Sequence, residues 1–239
     1  PVKLWANQPS RMHMKKFFTF TLLAALLTSP LFGQRVTRAD YVEPIESCEA
    51  ILQEFMTDPE MTIPVDVLER ARGIIIVNQF RAGLVLGVND GYAVVMVRRP
   101  DNSWSLPALL AAGGGSLGFQ IGASANETIY VLMDNATPRM LFNQRFHVGV
   151  DAKAVAGPRG ATSEHINEEI LNTPILVYRK DRGAYLGANL KAGWLTRNDE
   201  ANRSLYFTDY TLPEILYSDW VDEATEVRPL RDYMRELAK

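Results

Sequence analysis

The six residues Gly113-Gly114-Gly115-Ser116-Leu117-Gly118 satisfy two patterns that carry chemistry. As G-x-G-x-x-G they could cradle a dinucleotide, with Asp134 near the distance expected of a ribose-binding acid. That chemistry needs a helix whose N-terminus faces the pyrophosphate. Leu117, Phe119 and Ile121 instead alternate with a period of two, and too few residues precede the extended run from Thr128 for such a helix to fit. As G-x-S-x-G the same stretch could put Ser116 on a nucleophile elbow, with Asp134 or Asp151 as orienting acid and His165 as base, in the right chain order. The elbow also needs a helix directly after the serine. A glycine-rich strand packed against another backbone is therefore the preferred reading, no catalysis is expected, and a serine hydrolase using Ser116 is the alternative.

Metal chemistry has little to stand on. Cys48 is the single cysteine, which excludes an intramolecular disulfide and a thiolate zinc cluster. The histidines are His13, His147 and His165, too few for a site built on several imidazoles. Glu164, His165, Glu168 and Glu169 could draw a divalent cation, but no second group has ligand spacing, so they read as a solvated loop. Neither metal nor cofactor is expected. His147, between Phe146 and Val148, reads as a strand residue, and Trp104 and Trp194 as packing side chains.

Anion recognition has better material. Arg179, Lys180 and Arg182 cluster in sequence, Lys191 and Arg197 follow, and Lys153 and Arg159 flank Gly157-Pro158, a turn that can present backbone amides. Lys153, Arg159, Arg179, Lys180, Arg182 and Lys191 are the candidates for pairing with lipid phosphates. Whole-chain charge argues against nucleic acid. Removing residues 1–33 takes away Lys3, Arg11, Lys15 and Lys16 and no acid, so 21 basic residues face 28 acidic ones and the charge is −7. Binding to any polyanion or anionic surface then needs a local basic patch.

Those side chains must be held by elements legible in the pattern. Met14-Lys15-Lys16, an apolar run from Phe17 to Leu27 and a stretch ending at Gly33 have the layout of a secretory signal peptide. The run is about eleven residues, against the roughly 20 a membrane-spanning helix needs. The expectation is a leader over residues 1–33 and a single domain over 34–239, exported to the periplasm or secreted, at an envelope membrane. Tyr41, Ile45, Cys48, Leu52 and Phe55 form one helical stripe, with Asp40 as N-cap and Pro44 in the first turn. Glu43, Glu46, Glu49 and Glu54 on the other face favour docking on the core over lying on anionic lipid. A second helix spans Val65 to Arg72 and stops at Gly73.

From there the period becomes short. Strands are expected at 74–77, 84–88, 92–98, 117–123 and 128–133, with a hairpin turn at Asn89-Asp90-Gly91. A second hairpin joins 175–179 to 184–190 around Lys180-Asp181-Arg182-Gly183. A short helix falls within 134–142, a polar loop over 161–173, and Pro229 opens a terminal helix to Leu237. Gly83, Gly87, Gly118, Gly122 and Gly187 inside strands mark bends or close approaches. With 47% hydrophobic and 22% charged residues in 239, the composition is globular. The expected class is α+β: a strongly curved, mainly antiparallel, barrel-like sheet with an N-terminal helical segment and a C-terminal helix. A structural envelope module that binds another protein through exposed edge strands is a further alternative.

The ordered set of residues resembles the SYLF domain family. It runs through Ile51-Leu52, Phe55, Asp58-Pro59, Ile63-Pro64, Leu68, Ala71-Arg72-Gly73-Ile74, Ala82-Gly83, Gly87, Gly91, Trp104-Ser105-Leu106-Pro107 and Gly113 to Gly122. It continues through Val131-Leu132-Met133, Phe142, Gly149, Asp151-Ala152, Ala156-Gly157-Pro158, Gly160, Tyr178, Gly183, Gly187 and Asn202 to Tyr206, covering about Ile51 to Leu216. The resemblance implies lipid or membrane-surface binding without catalysis, and it accounts for the glycine run without a cofactor. Its eukaryotic members bind phosphoinositide lipids and actin. An exported chain meets phospholipid at an envelope membrane, or an envelope protein, and actin is not expected as its partner.

Overall fold

The structure, a computed structural model, describes residues 37–83, 86–117, 122–143, 145–159, 168–180 and 193–239. Along 80–83, 86–90, 114–117 and 122–125, and at residue 169, it describes the backbone alone. The expected leader, Gly118, Gly187, residues 161–167 and the strand at 184–190 lie outside the described residues.

The N-terminal helix α1 spans Ala39–Thr57 and buries Ile45, Cys48, Leu52 and Phe55 of the expected stripe together with Ile51, while Tyr41 is half-buried. It starts one residue before the expected cap. Asp40 therefore sits in the first turn and accepts hydrogen bonds from Thr37 N and Thr37 Oγ1, while Pro44 falls at the sixth helical residue. Helix α2 (Val65–Arg70) stops short of Gly73, which opens β1 instead of capping the helix. An added Cβ there would lie 3.1 Å from Met96 O and 3.2 Å from Leu132 Cδ1, so the glycine serves close approach of neighbouring strands.

Four long strands follow: β1 (Gly73–Gly83), β2 (Leu86–Val97), β3 (Ala108–Leu117) and β4 (Gly122–Leu132). The short β5 (Ala154–Ala156), β6 (Ile175–Arg179) and β7 (Gly193–Arg197) complete a described sheet of order β5-β6-β4-β1-β2-β3-β7. Five of its six pairings are antiparallel and only β5–β6 is parallel. Helix α3 (Thr137–Met140) is the short helix expected within 134–142, and α4 (Glu168–Leu171) replaces the last part of the expected loop. After β7 come α5 (Asp199–Tyr206), α6 (Leu212–Tyr217), a 3-10 turn (Thr225–Val227) and the terminal α7 (Arg228–Leu237).

One expected turn is in the wrong place. Ala82 pairs with Val88, so the first hairpin reverses between residues 83 and 87, and Asn89-Asp90-Gly91 lies inside β2. Gly91 is required there because an added Cβ would overlap Asn78 O of β1. The expected strand over 117–123 is likewise the end of β3 and the start of β4, with 118–121 outside the described residues.

The sheet is strongly curled, as expected, and its edges show why. Phe146 exchanges two 2.8 Å backbone hydrogen bonds with Leu195 on the outer side of β7. Val148 bridges Ala152 across a turn in which Gly149 has φ 78°, and Ala154 then begins β5 at the opposite edge. This route spans no more than about 20 Å. In a flat seven-stranded sheet the edges would be about 29 Å apart. The α+β class with a barrel-like sheet therefore holds.

Unbroken buried runs, Ile74–Val77 in β1, Ala93–Val97 in β2 and Ile175–Tyr178 in β6, show that both faces of the sheet are covered at this level. Helix α1 covers one face: Cys48 Sγ donates to Ile76 O at 3.5 Å, and Asn78 Nδ2 donates to Ser47 Oγ at 3.2 Å and to Tyr92 OH at 3.1 Å. Burial pushes the Cys48 thiol pKa up. At one end of the sheet the C-terminal helices dock, with Arg98 donating to Ala238 O at 2.8 Å and Arg99 to Leu216 O at 3.0 Å.

Arg38, at the start of α1, pairs with Glu226 beside the terminal helix and stacks over the Phe207 ring at 4.9 Å. The hydrogen bond from Arg38 holds the Glu226 carboxyl at about 2, below its ordinary value. The folded state thus binds this proton less readily than the unfolded one, so the pair stabilises above the ordinary carboxyl range and its contribution fades as pH falls from about 4 toward 2. Glu226→Gln is expected to flatten that part of the acid profile. Urea midpoints measured between pH 5 and pH 2 check it, and a variant profile parallel to that of the parent would refute the pairing.

Candidate functional site

The glycine run is strand. Ser116 pairs with Gly87, Gly115 with Val88 and Gly114 with Asn89, while β7 lines up on the other side through Gly113–Trp194 and Gly114–Gly193. The next described element is β4, a strand, so neither helix-dependent pattern has its helix among the described residues. Gly113 also has a packing role. The Trp194 ring lies against it, with the Arg145 guanidinium 4.4 Å from the ring centroid, and an added Cβ would overlap the indole. Trp104 is buried, as expected, with Arg98 5.3 Å from its ring centroid.

His165 and Glu164 lie outside the described residues, and no group of three His, Cys, Asp or Glu side chains is placed to hold a metal among the described residues. His147 belongs to a turn, not to a strand. Its backbone N–H donates to Asp151 Oδ2 at 2.6 Å, and its Nδ1 lies 3.4 Å from the same carboxylate.

Strand directions sort the candidate cations. β1, β3, β6 and, by its parallel pairing, β5 all run toward the end remote from the C-terminal helices, and β2, β4 and β7 start there. Arg159, Arg179 and Lys180 are at this hairpin end. Lys153 precedes β5 and is at the other. Arg182 and Lys191 lie outside the described residues, on the connection whose two anchors, β6 and β7, both meet the hairpin end.

The three described candidates at this end differ in their company. Lys180 Nζ binds Glu54 of α1 at 2.7 Å and Glu127 of β4 at 3.0 Å, and these two carboxylates raise its pKa. Arg159 is exposed and donates to Arg179 O at 2.7 Å, a neutral partner, and no carboxylate pairs with it among the described residues. Arg179 faces Thr128 across the β4–β6 pair, so alternation puts it on the side of the sheet away from Lys180. Arg197 is occupied by Asp199 at 3.1 Å and Phe142 O at 2.9 Å.

Near Arg179 lie polar residues that the sequence reading passed over: Gln79, Asn126 and Thr128, with Asn126 and Thr128 buried. Their one signal in the sequence is polarity at alternate positions, Asn126-x-Thr128-x-Tyr130, within a strand.

The molecule is thus an α+β domain whose glycines bend and appose strands and whose described candidate cations, Lys153 apart, stand at one end of a curled sheet. A family model described as "Ysc84: Las17-binding protein actin regulator" matches residues 113–237, more than half the chain, and the chain belongs to this Ysc84, or SYLF, family. It is 28% identical over 175 residues to human "SH3 domain-containing YSC84-like protein 1", covering 71% of this chain and 51% of that protein. Against an SH3 domain-containing protein of Schizosaccharomyces pombe it is 29% identical over 175 residues, or 70% of this chain and 40% of the relative. Against "LAS seventeen-binding protein 3" of Saccharomyces cerevisiae the figures are 26% over 160 residues, 66% and 35%. The chain spans about half the length or less of these relatives. The family is one of binding and regulatory domains.

Proposed function

We propose that the chain is a non-catalytic membrane-surface module that binds anionic phospholipid through the hairpin end of its sheet. The observation that carries this reading is Arg159, an exposed cation held at that end by a backbone carbonyl, with no carboxylate paired to it among the described residues. Arg179 and Lys180 stand beside it, and Arg182 and Lys191 follow on the connection from β6 to β7. Lys153, at the opposite end of β5, takes no part. The signal-peptide layout supports a setting at an envelope membrane, periplasmic or secreted, where phospholipid is at hand and actin is not. An envelope protein is the second partner class.

Each cation near an anionic surface contributes about 1 kcal/mol, or about fivefold in partitioning. In flotation on phosphatidylglycerol vesicles at low salt, Arg159→Ala is expected to weaken retention about fivefold and Arg159→Ala/Arg182→Ala about 25-fold, while Lys153→Ala leaves it unchanged. No retention of the parent protein on any bilayer would end this reading, and labelling of Ser116 by a fluorophosphonate would return the protein to the hydrolases.

A further inference from the structure

The aromatic side chains left in water gather in one place. Among the described residues Phe207, Tyr210 and Trp220 are the large aromatics that stay exposed, at 81%, 39% and 61%, and all stand in the connections before and after α6. Phe207 also has φ 49°, the left-handed conformation that caps α5. Stability alone would place glycine or asparagine at such a cap and would not leave a bulky ring in solvent there. A ring kept in that conformation is a signal of contact with something outside the chain.

The charges beside the rings say what that something is. Arg203, Phe207, Thr208, Asp209 and Tyr210 line an open hollow of about 630 Å³, the size of a small-molecule site. Arg203 and Asp209 are both exposed and neither has an ion-pair partner among the described residues, so one cation and one anion border the same space. The Tyr210 and Trp220 ring centroids are 6.3 Å apart with their planes inclined at 52°. At that spacing a compact cation can lie within about 6 Å of both. The Phe207 ring already takes one cation, the Arg38 guanidinium, at 4.9 Å. A ligand of a single sign meets a conflict here. A bare cation faces Arg203, and a bare anion or an anionic bilayer faces Asp209 and the exposed Asp219 and Asp222 that flank Trp220 in the chain. A methylated ammonium tethered to an oxyanion answers both charges and lays its methyl groups on the rings, while the guanidinium fork fits the oxyanion.

We propose that this hollow binds a zwitterion of the phosphocholine type, with Arg203 on the oxyanion and Asp209, Tyr210 and Trp220 around the quaternary ammonium. The source is a phospholipid headgroup or the free compound. Helix α5 follows the end of β7 remote from the hairpin end, so the site stands apart from the anionic-surface reading and does not rest on it.

The test titrates the whole chain calorimetrically with phosphocholine, choline, inorganic phosphate, and dihexanoyl phosphatidylcholine below its micelle concentration. Choline and inorganic phosphate are expected to bind about tenfold more weakly than phosphocholine, or less. Arg203→Gln should weaken phosphocholine about tenfold and leave choline no weaker. Tyr210→Leu should weaken phosphocholine about fivefold, whereas Tyr210→Phe, which keeps the ring, should not. Circular dichroism verifies each fold, and Trp220→Leu carries the aromatic test if Tyr210→Leu does not fold. Arg159→Ala, at the hairpin end, should change nothing. Binding of dihexanoyl phosphatidylcholine, with or without phosphocholine, assigns the site to headgroups, and binding of phosphocholine alone assigns it to the free compound. Binding of neither, choline or phosphate matching phosphocholine, unchanged affinity in Arg203→Gln or in the aromatic variant, or an equal loss in Arg159→Ala overturns the proposal. Flotation on phosphatidylglycerol vesicles reads the hairpin end separately, so failure there sinks the membrane reading and leaves this site standing.

Discussion

Asn202→Asp is expected to destabilise the protein by about 3 kcal/mol at neutral pH, a fall in Tm of about 6–12 °C for a chain of this size. Asn202 is 1% exposed on α5, accepts a hydrogen bond from Leu109 N at 2.7 Å and donates one to Leu109 O at 2.9 Å. Leu109 lies just beyond the last β3–β7 pair, Leu110–Arg197, so the carboxamide does for β3 what one more strand residue would do. A carboxylate keeps the acceptor and turns the donor into an oxygen facing a carbonyl. Protonation restores a donor, so the folded state raises the pKa of the new carboxyl. Extra proton binding by the folded state makes the deficit largest above that raised value and smaller as pH falls through it. Urea unfolding at pH 7 and pH 5 reads both effects, and equal loss at the two values would show that the carboxamide is not paired as described.

Gly113→Ala and Gly157→Ala should each cost about 1–3 kcal/mol, unusual for the addition of one methyl group. In both cases an aromatic ring occupies the space of the missing side chain: Trp194 over Gly113, and Tyr178 over Gly157. The two rings differ in freedom. Trp194 is half-buried and Tyr178 fully buried, so Gly157→Ala should be the more damaging. A double-mutant cycle of Gly113→Ala with Trp194→Leu isolates the clash. Coupling of about 1–3 kcal/mol is expected, since the methyl group is tolerated once the indole is gone. Additive losses would mean that Gly113 is required for some other reason.

The glycines thus explain how much of the fold the sequence shows. Period-two alternation and strand glycines pointed to a curled sheet, and the helical stripe of Tyr41 to Phe55 marked α1 to within a residue or two, because each is a local pattern repeated over several turns or strand residues. Gly91 misled. Asp-Gly signals a turn when positive φ is needed, but here the glycine answers to the neighbouring backbone of β1, a partner 13 positions away that no local window contains. Helix α5 was missed for the opposite reason. Its residues Asp199 to Tyr206 are mostly polar, and its placement depends on Asn202 reaching β3.

The candidate site divides in the same way. Clustered cations are visible in sequence, but their counter-charges are not. Lys180 meets Glu54 and Glu127 only after α1 has docked on the sheet. Arg179 and Lys180 are adjacent in the chain yet serve opposite sides of the sheet. The buried Asn126 and Thr128 carry no sequence signature beyond alternation.

The single thiol of the chain, Cys48, turns α1 into a reporter on its own detachment. Sealed against β1, with ionisation suppressed, it cannot meet a water-borne alkylating reagent until the helix lifts away. The pace at which iodoacetamide consumes this one thiol is therefore a stopwatch for that departure. Run with vesicles present, it tells whether docking on a bilayer holds the helix down or lets it go.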